Sequence, residues 1–158
     1  MSAKKPVKKK PSAIVNRRAR FDYALGDELT AGLSLTGPEV RAARDGHVQL
    51  KGSYVQLRNG ELWLQGASFS LQLNERGKPG ARAIDTEPRK LLVHRKQIEA
   101  LEASKAQGNT IVPLRLQTGG RFIKLVIAVG KGKKNYDKRE TLKRRDQERE
   151  AHRAIKSA

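Results

Sequence analysis

Cysteine is absent from this 158-residue chain. No disulfide and no thiolate metal site is available to it, which suits a reducing cytoplasm. No apolar run approaches the roughly 20 residues needed to span a bilayer. The Lys-rich start is not followed by an apolar segment, so no secretory signal is expected. No internal repeat stands out. Aromatic residues make up 4% of the chain. Acidic residues are outnumbered, 16 against 34 Lys and Arg, for a formal net charge of +18.

An enzyme reading has little to build on. The three histidines, His47, His94 and His152, are dispersed and suggest no metal motif. Gly130-Lys131-Gly132-Lys133 lacks the spacing and hydroxyl of a phosphate-cradling loop. Most acids are interleaved with Lys and Arg; Asp137, Glu140, Asp146, Glu148 and Glu150 read as helix-surface charges. No cofactor and no catalytic residue is expected.

What the chain has is positive charge, unevenly placed. Residues 1–10 carry five Lys and no acid. Residues 131–158 carry eleven Lys and Arg against five acids. The 120 residues between them still hold an excess of seven positive charges. This balance points to nucleic acid, with an anionic membrane surface as the weaker competitor. The tail has good helix formers but almost no apolar stripe, only Leu142, Ala151, Ala154 and Ile155. A helix that is polar all round is marginal in water, so its ordering is expected to wait for a polyphosphate partner. Tyr136 lies there with no core to join, which favours stacking on a nucleobase.

The expected organisation is a disordered basic arm (1–13), one barrel domain (14–130) and a basic tail (131–158). Phe21 to Leu35 alternates and reads as one or two strands. Thr36-Gly37-Pro38-Glu39 carries a capping box with Pro in the first turn, and Gly46 suits the C′ position, so a short helix lies between. Ser53–Arg58 and Glu61–Gln65 flank Asn59-Gly60, the strongest two-residue hairpin signal. Trp63 in the second strand reads as a barrel-packing residue. Residues 74–90 read as a loop. His94–Gln107 reads as a helix with Ile98 and Leu101 inward. Thr110–Gln117 and Arg121–Lys131 form a second hairpin at Gly119-Gly120, with Ile123, Leu125, Ile127 and Val129 on one face and Phe122, Lys124 and Val126 on the other. About six strands in hairpins with two short helices suit a mainly β chain: a small antiparallel barrel like the oligonucleotide-binding (OB) fold.

Basic residues are the candidate binding groups. Asn16-Arg17-Arg18-Ala19-Arg20 precedes the first long strand; Arg grips phosphate bidentately, and Asn can bond a base edge or sugar. Phe21 and Tyr23 beside it could stack on a base.

In sequence order, Asn16-Arg17-Arg18-Ala19-Arg20, Ala31-Gly32-Leu33, Leu35-Thr36-Gly37-Pro38-Glu39-Val40, Ser53-Tyr54, Arg89-Lys90-Leu91-Leu92 and Gly132-Lys133-Lys134-Asn135-Tyr136-Asp137-Lys138-Arg139 together resemble the SsrA-binding protein family (small protein B), over residues 14 to 156. The resemblance implies an OB-fold barrel with added helices and a tail that is disordered when free and helical when bound. It implies trans-translation, the bacterial rescue of stalled ribosomes. Its partners would be the tRNA-like domain of tmRNA (SsrA RNA), in a one-to-one complex, and the small-subunit decoding centre and empty mRNA channel. The tmRNA-binding residues implied are Asn16, Arg17, Arg18, Tyr23, Thr30, Lys90, Leu92 and Lys124. The ribosome-binding tail residues are Lys131, Gly132, Lys133, Lys134, Tyr136, Asp137, Lys138, Arg139, Arg144, Arg145 and Ile155. The chain departs from the family pattern at Phe21, where histidine is common, at Thr30, where Glu is frequent, and at Val129-Gly130, where an alanine before the Lys is usual. The alternatives are a general OB-fold RNA-binding protein of ribosome assembly or initiation, and an RNA-processing enzyme.

Overall fold

A computed structural model of the chain describes residues 13–72, 81–133 and 135–156. The expected arm at 1–13 lies outside them except for its last residue. The order is β1 (Ala13–Val15), α1 (Ala19–Asp22), β2 (Tyr23–Leu33), α2 (Gly37–Arg44), β3 (Val48–Gln49), β4 (Tyr54–Arg58), β5 (Glu61–Gln65), β6 (Ser68–Gln72), β7 (Arg82–Asp85), β8 (Arg89–Leu92), α3 (Arg95–Ala106), β9 (Thr110–Gln117), β10 (Lys124–Gly132) and α4 (Asn135–Lys156).

Seven strands form an antiparallel sheet in the order β1-β9-β10-β2-β8-β5-β4, and β4 meets β9 again through Val55 and Ile111. The sheet therefore closes into a barrel. A second sheet, β3-β6-β7, packs beside it with α2. The barrel interior is filled by Ala31, Leu62, Leu64, Leu116, Leu125 and Ile127, all fully buried. β1 and β3 escape the sequence reading because they are three and two residues long, too short to show a period of two. β6 and β7 also lie outside the strands expected there; β7 falls in the stretch read as loop, and Arg82 in it donates to the Ser70 hydroxyl at 2.9 Å and joins β6.

Local signals act as the sequence indicates. Thr36 caps α2 and its backbone N–H donates to Glu39 Oε2 at 3.0 Å. Gly46 follows with φ 81°. Arg58 pairs Glu61 across Asn59 and Gly60, both at positive φ. In α3, Leu101 is buried and Ile98 packs on the core.

Three expectations change. Trp63 alternates with Leu62 and Leu64, which fill the barrel, so it faces outward instead of packing inside. β10 is buried on both faces: Leu125 and Ile127 face the barrel, while Val126 and Ala128 join Ala19, Val112 and Leu114 in a second apolar cluster on the outer side. The strict alternation fails because Ala19 of α1 and Tyr23 and Leu25 of β2 cover that outer side. Finally, Lys131 and Gly132 are not tail; they close β10 opposite Ala24 and Tyr23.

Candidate nucleic-acid interface

β2 organises the outer surface. Ala31 and Leu33 point inward, so Thr30 and Gly32 lie on the outer side. One transverse row runs Gln117, Lys124, Gly32, Leu92 across β9, β10, β2 and β8. Gly32 carries no side chain between Lys124 and Leu92, which leaves the two expected RNA-binding residues flanking an open slot. Both are exposed. Thr30, opposite Val126, is the next outer position along the strand.

Asn16, Arg17, Arg18 and Tyr23 gather near the opposite end of β2. Tyr23 and Gly32 are nine positions apart, roughly 30 Å along a strand. The sequence-derived set is thus two surfaces, one at Leu92 and Lys124, the other at Arg17, Arg18 and Tyr23. Arg17 and Arg18 are exposed. Arg18 pairs with Asp22 at 3.6 Å, and its guanidinium lies 5.5 Å from the Phe21 ring centroid.

Two expected RNA-binding side chains are engaged within the fold. Asn16 is only 7% exposed; its side-chain N–H donates to Pro113 O at 2.9 Å and its backbone N–H to Leu114 O at 2.7 Å. It pins the chain to β9 where Arg17 and Arg18 leave the sheet. Lys90 Nζ bonds Glu61 Oε1 at 2.9 Å on β5, which offsets its charge locally.

The tail leaves β10 as α4, whose 22 residues span about 33 Å at 1.5 Å each. Its base is fastened to α1. The Lys133 backbone N–H donates to Asp22 O at 2.9 Å. Lys138 Nζ pairs with Asp22 Oδ1 at 3.4 Å. Lys138 and Arg145, two turns apart, each place their cation 5.9 Å from the Phe21 centroid. Arg139 and Arg144 are exposed, and Ile155 at the far end is 73% exposed. The expectations for Lys134 and for the side chains of Tyr136 and Asp137 fall outside the described residues. The tail is a helix over Asn135–Lys156, in keeping with the good helix formers of its sequence.

Arg89, Arg44, Arg121 and Phe122 were not singled out by sequence reasoning as site residues. Arg89 is buried, its guanidinium 4.0 Å from the Phe69 centroid and paired with Glu39 at 3.2 Å and Asp85 at 3.4 Å. It also donates to Glu87 O. It knits α2, β6 and β7 to β8, directly before Lys90 and Leu92. Arg44 bonds the carbonyls of Thr118, Gly120 and Arg121 at 3.1, 3.0 and 2.9 Å. Its signal in sequence was nil. Arg121-Phe122 beside Gly119-Gly120 did carry one, an aromatic next to a cation at a turn.

Among the described residues no group of three His, Asp or Glu could hold a metal, and no helix is long and apolar enough to cross a membrane.

Comparison with known proteins agrees with this geometry. The model of the family described as SmpB protein matches residues 13–157. The SsrA-binding protein of Shouchella clausii is 45% identical over 142 residues, covering 89% of each chain. That of Ligilactobacillus salivarius is 41% identical over 155 residues, 95% of this chain and 96% of the relative. A chain solved in "tmRNA-SmpB: a journey to the center of the bacterial ribosome" superposes with a TM-score of 0.59 at 32% identity, over 79% of this chain and 87% of the other. With the family model spanning nearly the whole chain, barrel and tail together, the protein belongs to the SmpB family.

Proposed function

We propose that the protein binds the tRNA-like domain of tmRNA through its barrel and carries it to stalled ribosomes, where α4 enters the vacant mRNA channel. The observation that carries this reading is the pairing of two features: an outer barrel face with exposed Leu92 and Lys124, and a basic helix about 33 Å long fastened to α1 near its base. A helix of that length and charge suits a groove walled by RNA phosphate. An intact mRNA in the channel would exclude it sterically, so selectivity for stalled ribosomes follows from occupancy. The role is binding and positioning, with no turnover of RNA, and its setting is the cytoplasm, where one protein serves one tmRNA.

The barrel residues proposed to touch tmRNA are Arg17, Arg18, Tyr23, Thr30, Leu92 and Lys124. Asn16 holds Arg17 and Arg18 in place, and Lys90 contributes through β8. The residues proposed to touch the ribosome are Lys133, Lys134, Tyr136, Asp137, Arg139, Arg144, Arg145 and Ile155, with Lys131 and Gly132 setting the direction in which α4 departs and Lys138 its anchor. Competition of the tRNA-like domain against ordinary tRNA at fixed salt tests the reading. Preference for the tRNA-like domain is expected; equal affinity for both would refute it.

A further inference from the structure

β1 has an open edge: it pairs with β9 on one side and, among the described strands, has no neighbour on the other. The Asn16 backbone N–H donates to Leu114 O at 2.7 Å, which makes these two a hydrogen-bonded pair. Such pairs alternate along an antiparallel ladder, so Val15, opposite Arg115, turns its N–H and C=O to the open side. That side is a groove of about 520 Å³ whose far wall is β3, the edge strand of the second sheet. Val15 stands in it 59% exposed. Arg17, Arg18 and Lys51 line it, all three exposed, and none of its described lining residues is acidic. The first ten residues of the chain add five lysines and no acid.

An open strand edge presents unpaired donors and acceptors side by side, a template for one added strand. Phosphate oxygens only accept, so a nucleic-acid backbone leaves the Val15 carbonyl unpaired. An extended peptide supplies both a donor and an acceptor. It also sets a side chain beside Val15, where an apolar one covers the exposed isopropyl group. The cations around the groove select for acidic segments and against basic ones.

We infer that this groove docks an extended acidic peptide of a partner protein, added as an extra strand along β1. Its main chain pairs with Val15, an apolar side chain covers Val15, and its carboxylates meet Arg17 and Lys51. With a host strand of three residues the association is weak and transient. Arg17 and Arg18 also belong to the proposed RNA grip, so peptide and RNA compete for the groove. The docking itself requires no RNA and goes beyond the proposed function.

The test uses the full chain without RNA and, as probe, a capped hexapeptide of alternating Glu and Val. At saturation, exchange of the Val15 amide slows by about tenfold or more, while that of Asn16, already bonded to Leu114, stays as it was. The same peptide methylated on alternate backbone nitrogens keeps its charge and apolarity but cannot extend a sheet, and it binds at least about tenfold more weakly. A Lys-Val counterpart is as weak. Val15→Pro, which deletes the outward N–H and spares the ladder to β9, weakens the Glu-Val peptide, and so does Lys51→Glu. The peptide comparisons use wild-type protein throughout, so they hold whether or not the variants fold. Equal binding of the methylated and unmethylated peptides overturns the inference, as does an unchanged Val15 amide at saturation. A uridylate hexamer that protects Val15 where the peptide does not would assign the groove to RNA and overturn it as well.

Discussion

Lys138, in the first turn of the tail helix, sits 3.4 Å from Asp22, the last residue of α1. The same Asp22 receives Arg18 at 3.6 Å on its other side. One carboxylate thus joins the proposed tmRNA grip to the base of the ribosome-directed helix. Partly exposed ion pairs are worth about 0.2–1 kcal/mol, so this joint can hold α4 loosely and release it readily.

Asp22→Ala should therefore loosen α4 without harming the barrel. Hydrogen exchange at residues 138–145 is expected to quicken while β9 and β10 stay protected. Equal exchange in variant and wild type would mean that Asp22 does not anchor the helix.

The tail should act on the ribosome and not on tmRNA. Asp137→Ala, or Lys138→Ala with Arg139→Ala, is expected to keep tmRNA binding and abolish peptide tagging on stalled ribosomes. Asp137→Ala raises the positive charge, so a tail that acts only by nonspecific attraction would work as well or better. Normal tagging by both variants would reduce α4 to an electrostatic tether.

Arg17 and Arg18 leave the sheet where Asn16 is pinned, with both side chains exposed. Replacing both with Ala should weaken tmRNA binding and lower the log-affinity against log-salt slope by about two, one unit for each phosphate no longer neutralised. A parallel line displaced downward, with no change in slope, would show that they touch no phosphate.

Glu39 serves twice, capping α2 at Thr36 N and pairing with buried Arg89. Glu39→Ala removes both and leaves a buried cation short of a partner, an effect of about 3 kcal/mol for a broken buried pair. Urea denaturation should show a lower midpoint with an unchanged m-value. A shift below about 1 kcal/mol would mean that Asp85 and the Glu87 carbonyl already satisfy Arg89.

Signals that act within a few residues were legible in the sequence. The Thr36–Glu39 capping box, the Asn59-Gly60 hairpin and the glycines after α2 and α3 each fix local geometry through their own backbone chemistry. So was the architecture, because hairpin spacing and alternation add up to a closed antiparallel sheet. Less legible was anything decided by a distant partner. Val126 reads as an outward residue until Ala19 and Tyr23 cover it. Asn16 reads as an RNA-binding residue until Pro113, 97 positions away, takes its amide. Arg89 lies in a basic motif, yet an aromatic ring and two carboxylates draw it into the interior. For the site, the basic residues were named, but their separation into two surfaces along β2 depends on strand length and register, which no motif records.

The register of β2 also governs how the molecule comes into being. Gly32 finds its neighbour in Lys124, 92 positions later. Pairings so remote in sequence form late. At a synthesis rate of about 5–20 residues per second, β2 waits roughly 5–20 s for β10 to be made. For most of that interval Ala31 and Leu33 lack both flanking strands, since β8 at Arg89–Leu92 is also still to be made. A nascent chain halted before residue 124 cannot close its barrel at all, so an interrupted message yields a fragment without the completed fold. A cell short of this protein is thus poorly placed to replenish it from damaged transcripts, and its supply rests on messages that are read to the end.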